Sequence, residues 1–246
     1  MESVKNLVEY YDELYPVTDA QKKFYDSFLE IYPHPAHFLS IGCGTGMLEY
    51  RLAKDKYADV TGLETFKELL DSATRKQRTQ LMSLRFFQMS TIEMSRFLGK
   101  GFYNVISCLN DRIVFIHDHT LMRKFFADCH QLLTDDGALV LSLTNYDIYN
   151  PELKAALPVS NTLRVKYTGK LHAGEEKNIA YLSRTVETGS GKKLPVFDNT
   201  EIYLLRPEEI TGFAKEAGFK NVQLFDGFSD KEADENSDEI VALIKK

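Results

Sequence analysis

Phe38-Leu39-Ser40-Ile41-Gly42-Cys43-Gly44-Thr45-Gly46-Met47-Leu48 is the stretch on which the fold turns. Apolar residues lead into glycines at 42, 44 and 46, and a helical pattern begins immediately afterwards. This reads as a buried strand, a tight turn and the start of a helix. Glycine tolerates positive φ and carries no Cβ, so the turn backbone can approach a ligand closely. Free N–H groups at the helix start are expected to favour a negatively charged or electron-rich partner. Some twenty residues on, Val60-Thr61-Gly62-Leu63-Glu64 is a short apolar run ending in a carboxylate. An acid at the end of the second strand of a βαβ unit is placed to accept hydrogen bonds from ribose hydroxyls. Together the two stretches read as a site for an adenosine-containing cofactor.

The third glycine separates the cofactors. A dinucleotide fingerprint places glycines at positions one, three and six. Here the sixth position is Met47, and the third glycine comes early, at Gly46. The pattern Ile-Gly-Cys-Gly-Thr-Gly, followed by an acid-terminated strand, resembles the class I S-adenosylmethionine-dependent methyltransferases from about residue 36 to the end. That resemblance implies an α/β fold with a Rossmann-like, doubly wound, seven-stranded sheet whose last strand is antiparallel. It implies methyl transfer from S-adenosylmethionine to the nitrogen or oxygen of a small acceptor, with S-adenosylhomocysteine as product. Gly42, Cys43, Gly44 and Gly46 would wrap the methionine part of the cofactor, Glu64 would hold the ribose, and Thr65, Met89, Ser90 and Thr91 would be further cofactor contacts. Two alternatives stay open. One is an NAD-dependent oxidoreductase, which shares the ribose acid. The other is a non-catalytic S-adenosylmethionine-binding module, since no obvious base stands out.

Composition narrows the class. The 246 residues are 43% hydrophobic and 27% charged, enough for one domain with a sizeable core and room for an insertion. A net charge of -6 builds no basic face, which disfavours a nucleic-acid partner. Cys43, Cys108 and Cys129 are odd in number and lack framework spacing, as expected in a reducing compartment. Met1–Lys5 lacks a signal peptide's apolar core, and no stretch approaches the roughly 20 apolar residues of a membrane helix. The expectation is a soluble, cytoplasmic protein without a membrane partner.

Four regions follow from the order of patterns. Residues 1–35 read as a helical lid, 36–158 as the cofactor-binding core, 159–205 as an inserted β meander and 206–246 as the completion of the core. In the first, Thr18 and Gln21 form a capping-box pattern, and Phe24, Phe28 and Ile31 share one helix face. The segment Tyr10-Tyr11-Asp12-Glu13-Leu14-Tyr15 resembles the lid that precedes many small-molecule methyltransferase domains, which makes Tyr11 and Tyr15 cofactor contacts. Leu48–Lys54 reads as a short helix. Phe66, Leu69, Leu70 and Ala73 carry helical spacing, and Arg75-Lys76-Gln77-Arg78 suits a solvated helix end. Leu84–Gln88 reads as a third strand, followed by Met89, Ser90, Thr91 and Ile92. The family commonly has an Asp here that binds the adenine amino group; Ser90 stands in its place and can accept the same bond without the charge. Phe102–Asn110 reads as a fourth strand, whose end faces the glycine loop where strand order reverses. Leu109 and Asn110 are therefore expected to meet the cofactor through their carbonyls.

Met122, Phe125, Phe126, Cys129, Leu132 and Leu133 form a helical stripe that Asp135-Asp136-Gly137 should end. Ala138–Leu143 reads as a fifth strand, with Asn145, Tyr146, Asp147 and Tyr149 beyond it, facing an acceptor. Between residues 159 and 205 three alternating runs, turned at Gly169, Gly174 and Gly189-Ser190-Gly191, predict an antiparallel meander over the crevice. Such an insertion is where substrate selectivity is built, and its open edge admits a homodimer. Pro207 opens a last helix that Gly218 closes. Asn221–Phe225 and Glu239–Ile244 read as the final strand pair, joined by a solvated acidic loop. For a catalytic base the candidates are His117, His119, Asp111 and Tyr146. The spacing of His117 and His119 with Asp111 and Asp118 matches no metal signature, so no metal is expected.

Overall fold

Ala36–Ile41 is buried along nearly its whole length because both of its faces are covered by helices, which is why it reads as a continuous apolar run. In the computed structural model, which describes residues 4–55, 57–76, 83–176 and 178–246, this strand is β1. Helices α1 (Lys5–Val8), α2 (Tyr11–Leu14) and α3 (Asp19–Leu29) precede it. After β1 come α4 (Met47–Lys54), β2 (Ala58–Glu64), α5 (Lys67–Lys76), β3 (Leu84–Gln88), α6 (Met94–Phe97) and β4 (Tyr103–Cys108). A short 3-10 helix (Arg112–Phe115), α7 (His119–Leu132) and β5 (Leu133–Thr144) follow. Then come β6 (Ser160–Asn161), β7 (Val165–Ala173), β8 (Ile179–Thr188), β9 (Lys193–Tyr203), α8 (Pro207–Ala217), β10 (Asn221–Asp226) and β11 (Glu239–Lys245).

The main sheet has the order β10-β11-β5-β4-β1-β2-β3. β1 pairs in parallel with both β2 and β4, while β11 runs antiparallel to β5 and β10. The reversal of strand order therefore falls between β1 and β4, at the carboxyl ends that carry the glycine loop and Leu109–Asp111. One face of the sheet packs Phe38, Val60, Val105 and Val140 against Tyr25, Leu29 and Leu52 of the helices. The other packs Leu39, Ile106 and Leu141 against Leu69, Met94, Met122 and Phe126. No helix among the described residues is long and apolar enough to cross a membrane.

The second sheet, β6-β7-β8-β9, is antiparallel throughout. It contains the expected meander plus a short fourth strand at Ser160–Asn161, and its last strand starts at Lys193 rather than near Glu201. Gly169 lies inside β7, paired with Arg184, and is not a turn.

Other expectations also shift. The first 35 residues hold three short helices. In α3 the Thr18 hydroxyl caps Gln21 as expected, but the buried face is Gln21, Tyr25 and Leu29. Ile31 lies beyond the helix and is 67% exposed. Asp135-Asp136-Gly137 does not follow a helix stop but sits within β5. There the register slips from Tyr103↔Leu133 to Val105↔Ala138, so both acids bulge out of the ladder. The acidic loop is solvated only in part: Ser237 is buried, and Asp238 accepts from the Tyr149 hydroxyl. Gln77 and Arg78 lie outside the described residues.

Candidate active site

Gly42, Gly44 and Gly46 all have positive φ, from +60° to +74°, as the sequence requires of that turn. All three also make room for side chains of this chain, Gly46 for the Phe86 ring, 2.5 Å from where its Cβ would stand. A Cβ on Gly44 would stand 2.3 Å from the Tyr11 ring, and one on Gly42 would stand 2.6 Å from Arg112 Cγ. The expected free N–H groups are largely spent within the protein. Gly42 and Cys43 donate to the Leu63 carbonyl, Gly46 to the Cys43 carbonyl and Gly44 to Glu64 Oε2 at 3.0 Å. The loop is thus moulded onto the end of β2.

Glu64 is the hub of this arrangement and its side chain is fully buried. Oε2 accepts from Gly44 N and from Arg112 Nη2 at 2.6 Å; Oε1 accepts from the backbone of Thr65 and Phe66 at 2.9 and 3.0 Å. Three of these donors are backbone groups fixed by the fold. The Thr65 hydroxyl also donates to Oε1, at 3.5 Å; Arg112 is the one charged donor, on a long side chain that can swing, and it also lies over the Phe66 ring. Sequence reasoning missed Arg112. It stands four residues past β4, and its partner is 48 positions away.

Beside Glu64 opens a cavity of about 410 Å³, within the usual size range of ligand pockets. Gly42, Glu64, Thr65, Met89, Ser90 and Thr91 form one side of it, and Arg112, Phe115, Ile116 and His117 the other. Cys43, Leu109, Asn110, Tyr11 and Tyr15 surround a narrower space on the other side of the loop, of about 40 Å³, together with Glu49. Burial raises the Glu49 pKa to about 7, against the Ser40 hydroxyl that donates to it at 2.5 Å. The Leu109 carbonyl already accepts from Arg112 N. Cys108 and Cys129 are buried, and burial raises their thiol pKa values, to about 12 for Cys108; both pack as small apolar residues.

The N-terminal segment closes the loop from outside. Tyr11 is buried, and Asp12 bonds the Thr45 hydroxyl and Lys76. On its other side Glu13 pairs with Arg164 next to β7, and the Arg164 guanidinium lies over Tyr10. Tyr15 stacks edge-on against Tyr167 of the second sheet.

The catalytic candidates separate into two groups. Asp111 and Tyr146 meet: the Tyr146 hydroxyl is 3.3 Å from Asp111 Oδ1, which also accepts from Thr144 N, while Oδ2 accepts from the Thr144 hydroxyl. Burial first, and Asp111 second, push the Tyr146 hydroxyl well above the phenol range, so it acts as a donor. His117 is exposed at the rim of the larger cavity. His119 begins α7, capped by Asp118, and packs near Phe213 and Tyr203. A third cavity, of about 360 Å³, lies past Asn110 and Asp111 and is walled by Tyr15, Ser142, Thr144, Arg184, Asp238 and Glu239.

A family model described as a methyltransferase domain matches residues 38–137, which span the glycine loop, Glu64 and Asp111. A Geobacillus sp. (strain WCH70) protein, named provisionally as a methyltransferase, is 24% identical over 238 residues, covering 93% of this chain and 92% of its own. Among solved structures, an S-adenosylmethionine-dependent methyltransferase from Clostridium acetobutylicum aligns with TM-score 0.75 at 20% identity, over 98% of both chains. The sugar N-methyltransferase KedS8 from Streptoalloteichus sp. aligns with TM-score 0.69 at 15% identity, over 100% of this chain and 94% of that one. Residues 38–137 thus carry a methyltransferase domain, and the fold over nearly the whole chain is that of the class I S-adenosylmethionine-dependent methyltransferases. These likenesses support an S-adenosylmethionine-dependent methyltransferase over the dehydrogenase alternative.

Proposed function

We propose that the protein methylates a nitrogen or oxygen of a small-molecule acceptor, with the cofactor held along the glycine loop and the acceptor admitted from the Asp111 side. The carrying observation is the pair of cavities, about 410 and 360 Å³, that flank Asn110–Arg112 at the point where strand order reverses. The residues present fit the cofactor. Glu64 is a buried acceptor for ribose hydroxyls, with Arg112 as its exchangeable partner. Met89, Ile92, Phe115 and Ile116 offer apolar walls for the adenine, with the Ser90 hydroxyl at its edge. Glu49, on the narrow side of the loop, suits an ammonium. The bound cofactor supplies an electrophilic methyl group on a sulfonium sulfur.

The protein's part is then to hold a nucleophile in line and exclude water. Tyr11 and Tyr15 cover the loop, and the second sheet covers the crevice through Phe197, which packs on Phe66 and Phe115. Asp111 lines the acceptor cavity, with Tyr146 donating to it from the adjoining gap, and we assign Asp111 to orienting the acceptor. KedS8, a sugar N-methyltransferase by name, supports a small acceptor.

The test is methyl-labelled S-adenosylmethionine with a panel of small amines and alcohols and, separately, with protein and RNA. Label in small molecules, with stoichiometric S-adenosylhomocysteine, is expected. Label only in a macromolecule would overturn the small-acceptor reading, and tight cofactor binding with no transfer anywhere would favour a binding module.

A further inference from the structure

Along β8 the buried positions are Ala180, Leu182, Arg184 and Val186. An arginine thus stands in an otherwise apolar row and is only 9% exposed. A buried charge is costly unless it is paired and hydrogen-bonded. Arg184 is poorly provided for. Its guanidinium lies over the Tyr167 ring, and its nearest counter-charge is Asp111 Oδ2, at 3.6 Å. Among the described residues no hydrogen bond reaches it. Asp111 is itself occupied by Thr144 and Tyr146.

Two features of the sheet place Arg184 deliberately. Its partner across β7 is Gly169, where a Cβ would stand 3.1 Å from Arg184 Nε and 2.9 Å from Leu157. On the β9 side the register slips on both sides of Arg184, and a bulge re-aims the side chain it carries. The side chain ends in the wall of the 360 Å³ cavity and of the narrow gap that joins it to Arg112 and Tyr11. Among the described residues lining the 360 Å³ cavity it is the only Lys or Arg, facing Asp111, Asp238 and Glu239.

We propose that Arg184 holds a carboxylate of the methyl acceptor, which makes the substrate a small amine or alcohol that also bears a carboxylate. This rests on the reading of that cavity as the acceptor site. A guanidinium with free donors matches a planar carboxylate in a fork. The three acids in the same wall disfavour a dianion such as phosphate and suit a substrate whose second group is an amine.

The test is a titration of the protein, alone and loaded with S-adenosylhomocysteine, with acetate, inorganic phosphate and acetamide at constant ionic strength. The readout is the arginine side-chain ¹⁵N resonances. Acetate is expected to shift one arginine saturably in the millimolar range, phosphate about tenfold more weakly, and acetamide not at all. Arg184→Gln should abolish the acetate response and leave S-adenosylhomocysteine affinity intact, and Arg184→Lys should retain a weakened response. An acetate response that persists in Arg184→Gln, or none in the wild type, overturns the proposal. Tighter phosphate binding would overturn the carboxylate in favour of a phosphorylated acceptor. Loss of S-adenosylhomocysteine binding in the wild type would instead count against the methyl-transfer reading itself.

Discussion

Two buried carboxylates flank the glycine loop with unequal support. Glu64 accepts from three backbone N–H groups, the Arg112 guanidinium and, at 3.5 Å, the Thr65 hydroxyl, whereas Glu49 accepts from the Ser40 hydroxyl and has a pKa raised from 4.5 to about 7, mainly by burial. A folded-state pKa above the unfolded one means that the protonated form favours folding. The contribution of Glu49 is therefore fully present below about pH 4.5 and lost as pH rises through about 7. Glu49→Gln should be nearly neutral at pH 5 and stabilising at pH 8, by on the order of 2–3 kcal/mol. Urea unfolding at the two pH values measures this, and a destabilised variant at pH 8 would contradict it. Arg112→Met should cost about 3 kcal/mol in the same assay, because it strips a fully buried carboxylate of its counter-charge. A cost under about 0.5 kcal/mol would show that the three backbone donors suffice without it.

At the scale of elements, the N-terminal segment is held from two sides, by Thr45 and Lys76 through Asp12 and by Arg164 through Glu13. The Arg164 pairs are exposed, so Arg164→Ala is expected to leave the melting temperature almost unchanged. Amide exchange over residues 10–17 should nevertheless accelerate, because that contact ties α2 to the second sheet. Unchanged exchange there would remove Arg164 from the lid. What was legible in the sequence at this scale is what local pattern determines. β1, β2 and β4 read as apolar runs because both of their faces are covered. The glycine spacing and the acid twenty residues on required only local counting. The end of α7 was misread because Asp135-Asp136-Gly137 looks like a helix stop, whereas the bulge opposite Tyr103 absorbs it into β5. Gly169 looked like a turn, but its absent Cβ makes room for Arg184 and Leu157.

At the scale of the whole molecule, the missed residues share one property. Arg112, Arg184 and Asp12 act on partners 48, 73 and 33 positions away, so only the closed fold reveals them. Two signals were there to be read: an arginine in the apolar row of β8, and a second charge directly after Asp111. The fold brings the two sheets and the N-terminal segment together over one crevice, where the cofactor is expected to bind at Glu64. The most direct test is isothermal titration with S-adenosylmethionine and S-adenosylhomocysteine, on the wild type and on Glu64→Ala, with the variant's fold checked by circular dichroism. Micromolar binding to the wild type, weakened by about 1–3 kcal/mol in the variant, is expected from leaving the ribose hydroxyls unpaired. No binding of either ligand to the wild type, or equal binding to both proteins, would contradict it.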